Sequence, residues 1–173
     1  MRRVVVSFVL FSVSVGLVFS ASVEEVAPGV FFRVEDKGCN NGWIVFEDYV
    51  LVIDANFPNV VKDVIGDIQK TTDKPIRFVL DTHHHGDHAL GNCVFAEHGA
   101  TIIAQRDCAD ILRSPELIQS FENWTRGKSE YKDVRPCSPT LTFNDRLVFD
   151  DGNRRVEIIH TGHAHTEGDT VAY

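Results

Sequence analysis

The segment Asp81-Thr82-His83-His84-His85-Gly86-Asp87-His88 concentrates side chains that bind metal. It follows residues 76–80, which are apolar apart from Arg77 and read as a buried strand. On a loop at a strand's end, alternate residues point one way, so His83 and His85 can share one cation. Asp87 and His88 are then free to turn towards a neighbouring one. Imidazole suits zinc, at about 2.0–2.1 Å, and a carboxylate supplies a harder ligand beside it. A zinc held by three side chains keeps one position for water, whose pKa it lowers towards about 7. Two ions about 3.5–4 Å apart can polarise the carbonyl or phosphoryl under attack. A histidine-rich tract can also be a solvated loop that collects metal adventitiously. The ordered spacing, the strand before it and Gly91-Asn92 after it favour a built site.

Elements on either side must position this loop. Residues 30–35, 43–46 and 50–53 read as strands, separated by Gly38-Cys39-Asn40-Asn41-Gly42 and by Glu47-Asp48, and suggest an antiparallel meander. Pro58-Asn59 opens a helix in which Val60, Val61, Val64, Ile65 and Ile68 fall at helical spacing. A single helix is expected beyond His88 to Glu97, stopped by Gly99. A strand at 101–104 and helices at 106–112 and 115–124 follow, and residues 127–139 read as a loop or insertion. Strands at 146–149 and 155–159 form a hairpin about Asp150-Asp151-Gly152-Asn153. A loop at 160–168 leads to a strand at 170–173. This order describes an α/β layered domain with helices on the outer faces of two packed sheets; the pattern leaves a three-layer arrangement open.

The chain has 173 residues and 43% hydrophobic composition, which suits one globular domain and excludes disordered and collagen-like classes. Arg2-Arg3, the uncharged run 4–21 and Ser20-Ala21-Ser22 read as a secretory signal cleaved after Ser22. The organisation is thus a signal peptide at 1–22 and a domain at 23–173, with a periplasmic or secreted location. An uncleaved membrane anchor is the alternative, since the run approaches the roughly 20 residues of a span. The net charge is −8, and removing the leader takes two arginines and no acid. So acidic a body argues against nucleic acid as partner and leaves a small-molecule substrate. Cys39, Cys93, Cys108 and Cys137 permit one or two disulfides in an oxidising compartment, although buried thiols are equally ordinary.

Thr82-His83-x-His85-x-Asp87-His88 resembles the T-H-x-H-x-D-H signature of metallo-β-lactamase-fold hydrolases. Asn41-Gly42 and Val52-Ile53-Asp54-Ala55 are similar to that family's early strands and the acid beside its site. Gly162-His163-Ala164-His165-Thr166-Glu167-Gly168-Asp169-Thr170 resembles its G-x-x-H-T-x-x-D segment. The resemblance implies a four-layer αββα sandwich and two zinc ions per complete site. It makes His165, which precedes Thr166 as in the family pattern, the third ligand of the first metal with His83 and His85. It sends Asp87 and His88 to the second metal and gives Asp87 a catalytic role in orienting the attacking water. The implied reaction is hydrolysis of an ester-like or amide-like bond in a β-lactam, lactone or thioester.

Members of that fold continue past the third histidine and supply further second-metal ligands, whereas this sequence stops at Tyr173. Late strands and a helix are therefore expected to be missing, and the alternative to an enzyme is an inactive metal-binding remnant. Among the remaining candidates, His84 falls at the variable position of the signature. His98 suits a helix C-terminus, and His160 reads as structural. Asp54 is balanced between supporting a metal-bound histidine and starting an ordinary turn. Asp169 either braces the ligand loop or is a plain surface acid.

Overall fold

A computed structural model describes residues 21–131 and 134–173. The leader expected over 1–22 lies outside the described residues apart from Ala21 and Ser22. Among the described residues, ten strands form two sheets. In the larger, β1 (Ser22–Ala27), β2 (Val30–Val34), β3 (Asn41–Val45) and β4 (Val50–Ile53) make an antiparallel meander. It continues in parallel through β5 (Ile76–Asp81), β6 (Thr101–Gln105) and β7 (Leu141–Phe143). The smaller sheet, antiparallel, is β8 (Arg146–Asp150), β9 (Arg155–His160) and β10 (Thr170–Ala172), with β9 in the middle.

Side-chain alternation along the central strands sorts the core into two layers. Trp43, Val50, Val52, Val79 and Ile102 face one way, onto Val60, Val61, Val64, Ile65 and Ile68 of α1 (Pro58–Thr71) and Phe95 of α3 (Asn92–Glu97). Ile44, Leu51, Leu80 and Ile103 face the other way, onto Phe149, Val156 and Ile158 of the small sheet. Ala104 lies one pleat beyond Ile102 and packs with α2 (Gly86–Ala89), α4 (Arg106–Leu112) and α5 (Pro115–Thr125). The helices thus share one face of the large sheet and the small sheet covers the other. This mixed α/β framework of two packed sheets is the one the resemblance implies, in three of its four layers among the described residues.

Helix α1 begins as its sequence dictates. Proline sits in the first turn, where its missing N–H costs nothing, and the apolar stripe faces inward. Trp43 is fully buried and donates from Nε1 to Thr71 Oγ1 at the helix end, 3.1 Å away.

Two features differ from the expectations. β1 and β7 are additional strands. The helix expected from His88 to Glu97 is two short ones, α2 and α3, and α2 starts inside the motif at Gly86. The break falls at Leu90-Gly91, where Gly91 N donates to Asn56 O at 2.8 Å. The chain packs so tightly there that a Cβ on Gly91 would collide with Ala55 O and Val61. Of the two readings open for the cysteines, they are free thiols, with Cys39, Cys93 and Cys108 buried.

Candidate metal centre

The parallel pairing of β4 with β5 places Ile53 opposite Leu80, so Asp54 and the segment from Asp81 onward leave the sheet side by side. Asp54 takes a left-handed backbone conformation, φ 65°, uncommon for a residue with a side chain. Its carboxylate then caps the metal loop. Oδ1 accepts from Thr82 N at 2.8 Å, and Oδ2 lies 3.0 Å from Thr82 Oγ1 and 2.9 Å from His88 Nδ1. Of the two roles open to Asp54, the geometry matches support of a histidine.

His83, His85 and His165 converge. One ligand atom from each lies within 4.8 Å of the others, and His165 Nε2 is 3.2 Å from His85 Nδ1. Burial, reinforced by His88 and by His85 and His165, lowers the His83 imidazole to about 4 against the opposing pull of Asp54. His83 is therefore neutral at neutral pH and its lone pair is free to ligate. With the Thr82 hydroxyl proton directed to Asp54, Thr82 Oγ1 accepts from His83 Nδ1, 3.2 Å away. That tautomer leaves His83 Nε2 as the ligand atom. Three imidazoles aimed at one point fit a zinc-type cation, whose tetrahedral site takes three nitrogens and keeps one open position.

The loop carrying His165 is secured at both ends. Asp169 accepts hydrogen bonds from His165 N, Thr166 N and Thr166 Oγ1. Burial works against its charge, but these bonds, led by Thr166, hold its carboxyl below the usual range. Asp169 thus braces the ligand loop. Thr170 N donates to Thr82 O at 3.0 Å and joins the two motif segments directly. Gly168 packs against the Cys108 backbone, where any side chain would collide. His160 Nε2 lies 3.1 Å from Glu167 O in the loop that follows it.

Beside this cluster, Asp87 Oδ2 lies 3.6 Å from His88 Nε2. Burial opposes charge on His88, but its hydrogen bond to the Asp54 carboxylate raises its imidazole above the ordinary value. His84 is not drawn into either group; its Nδ1 is buried without a hydrogen-bond partner. His98 lies elsewhere, with Nδ1 2.8 Å from Val94 O at the end of α3. His163 is exposed on the loop.

Two features of the site have no signal in the residue spacing. A cleft of about 340 Å³ opens between His85, Asp87 and an apolar wall of Phe57, Leu90, Phe121 and Trp124. Phe57 and Trp124 stack with ring centroids 5.3 Å apart. The other is Asp81, fully buried behind the loop. Asn92 Nδ2 donates to its Oδ2 at 2.8 Å, whereas Asp81 Oδ1 and Asn92 Oδ1 have no partner. Burial pushes the Asp81 carboxyl well above the usual range, and the protonated acid has the donor that Asn92 Oδ1 lacks. A carboxyl raised on folding stabilises fully below its ordinary value, and that contribution is lost as pH rises to the raised one. Asp81→Asn supplies a permanent donor, so its melting temperature should exceed the wild type's by a margin that grows from about pH 5 to about pH 8. A margin that shrinks with rising pH, measured by thermal denaturation, would contradict a buried neutral acid.

No protein-family model matches the chain. Among solved structures, it is similar to a metallo-β-lactamase from Pontibacter korlensis, with TM-score 0.70 and 17% identity over 89% of this chain and 66% of that one. It is also similar to a B3 metallo-β-lactamase with an active-site glutamic acid, with TM-score 0.66 and 25% identity over 87% of this chain and 55% of that one. A Cronobacter sakazakii metallo-β-lactamase aligns with TM-score 0.66 and 20% identity over 87% of this chain and 56% of that one. The chain thus spans between 55% and 66% of the length of these relatives. Two packed sheets, the motif loop at the ends of β4 and β5, and the histidine cluster agree with that likeness: the chain has the metallo-β-lactamase fold.

Proposed function

We propose that the protein is an exported, metal-dependent hydrolase acting on an ester-like or amide-like bond of a small molecule, in the β-lactam, lactone or thioester class. The observation that carries this reading is the convergence of His83, His85 and His165 beside Asp87 and His88, at the mouth of a cleft. A zinc-type ion held there would supply an activated water and polarise the scissile carbonyl. His83, His85 and His165 would hold the first ion, and Asp87 and His88 belong to the second position. Asp87, on the rim of the cleft, orients the water and accepts its proton. The wall of Phe57 and Trp124 excludes bulk water and seats the apolar part of the substrate. Export is supported by Arg2-Arg3 and the uncharged run after them; no helix among the described residues is long and apolar enough to cross a membrane.

Zinc-loaded protein tested against a β-lactam, a lactone and a thioester should hydrolyse at least one, and a chelator should abolish turnover. Stoichiometric zinc with no turnover on any of the three would leave a metal-binding remnant. Trp124→Ala should raise KM for a substrate with an aromatic substituent by about tenfold, ~1.4 kcal/mol, with kcat little changed, as expected when binding common to ground and transition states is lost. An unchanged KM would remove the wall from substrate binding.

A further inference from the structure

His88 has two sides. Nε2 faces Asp87, whereas Nδ1 lies 2.9 Å from Asp54 Oδ2. Cys39 joins the group: its Sγ, an Asp54 carboxylate oxygen and a His88 ring nitrogen all lie within 4.8 Å of one another. The thiol is buried and held by its own loop. Asn56 Nδ2 donates to Cys39 O at 2.6 Å and to Asn41 Oδ1 at 2.9 Å, and Asn41 Nδ2 donates to Asp54 O at 2.7 Å. Asp54 and Asn56 both keep left-handed backbones, φ 65° and 61°, within this network. Such conformations persist where the surroundings over-determine them, and they cluster at functional sites. Gly38 packs so closely on the Asn56 side chain that a Cβ there would collide. Main-chain strain, buried amides and a bare glycine together bring a thiol to a histidine and a carboxylate.

We propose that Cys39, Asp54 and His88 form a thiolate–carboxylate–imidazole site for a second divalent cation of the zinc type. Sulfur with nitrogen selects zinc-like cations over magnesium or calcium. Bond lengths of about 2.3 Å to sulfur and about 2.0–2.1 Å to nitrogen and oxygen in a tetrahedron set the ligand atoms roughly 3.3–3.6 Å apart. Small side-chain rotations therefore close the group around an ion. Asp54 keeps its Oδ1 bond with Thr82 N and turns Oδ2 to the cation. Binding releases the Cys39 thiol proton to solvent and moves the His88 proton from Nδ1 to Nε2, facing Asp87, so this site takes the place of the Asp87–His88 position as the second metal site rather than adding a third ion. The ring centroids of His83 and His88 are 4.0 Å apart, so this site adjoins the three-histidine one. It depends neither on that cluster nor on turnover.

The test is a Co(II) titration of the full chain after removal of metal. The site predicts an intense near-ultraviolet sulfur-to-cobalt charge-transfer band that Cys39→Ser abolishes and that Cys93→Ser, Cys108→Ser and Cys137→Ser each retain. His83→Ala should weaken the visible ligand-field bands of the three-histidine site and leave the thiolate band in place. Visible bands with no thiolate band, or a thiolate band that survives in Cys39→Ser, overturn the site while the hydrolase reading stands. A thiolate band alone, with His83→Ala changing nothing, supports this site and defeats the other. X-ray absorption of zinc-loaded wild type checks the result without a variant: one sulfur neighbour at about 2.3 Å supports it. A shell of nitrogen and oxygen only, in protein loaded with two zinc ions, refutes it.

Discussion

If the protein is the metal-dependent hydrolase proposed above, His83→Ala should remove the tightly held metal and the hydrolysis that depends on it, whereas His84→Ala should leave both close to wild type. The two residues are neighbours in sequence and differ in what surrounds them. His83 is buried, kept neutral, and placed with its ligand atom among those of His85 and His165. His84 belongs to neither cluster. Side chains that only orient a metal ligand already account for about 10–100-fold in affinity or activity. Loss of one of three ligands should exceed that, and His165→Ala should behave like His83→Ala. Metal content after dialysis against a weak chelator reads the first effect and initial rates read the second. Equal losses in His83→Ala and His84→Ala would mean that the tract gathers metal by composition alone.

That contrast also marks where the sequence is legible. His83, His85, Asp87 and His88 fall within six residues, and the apolar run of β5 before them already places them at a strand end. His165 lies far along the chain, and only the resemblance of its segment to a known pattern connects it to them. Helix α1 is legible because five apolar residues repeat at its own period. β1 is not, because every one of its residues is exposed and no apolar alternation exists to read. β7 has three residues, too few for a period. Nothing in spacing joins Cys39 to His88, or Phe57 to Trp124, since those contacts arise from strand register and helix packing. The same holds for the break between α2 and α3: Gly91 looks like an ordinary residue following a motif, and its reason is the backbone on the far side of the contact.

Gly91→Ala and Gly66→Ala should therefore change stability in opposite directions. At Gly91 the added methyl meets two carbonyl oxygens, Ala55 O and Asn56 O, and the Val61 side chain. The carbonyls cannot move cheaply, because Ala55 N is bonded to His88 O at 2.7 Å and Asn56 O accepts from Gly91 itself. Overpacking of this kind costs about 1–3 kcal/mol and sometimes more. The displacement falls on the segment that positions His88, so metal affinity should drop with stability. At Gly66, inside α1, an added Cβ meets nothing within 4 Å. There the methyl reduces the freedom of the unfolded chain, and a gain of about 0.5–1 kcal/mol is expected. Denaturant midpoints of the two variants, with metal removed, measure the difference. If Gly91→Ala were as stable as wild type, the close approach of the motif helices to the end of β4 would be wrong, and the placement of Asp54 against His88 would fall with it.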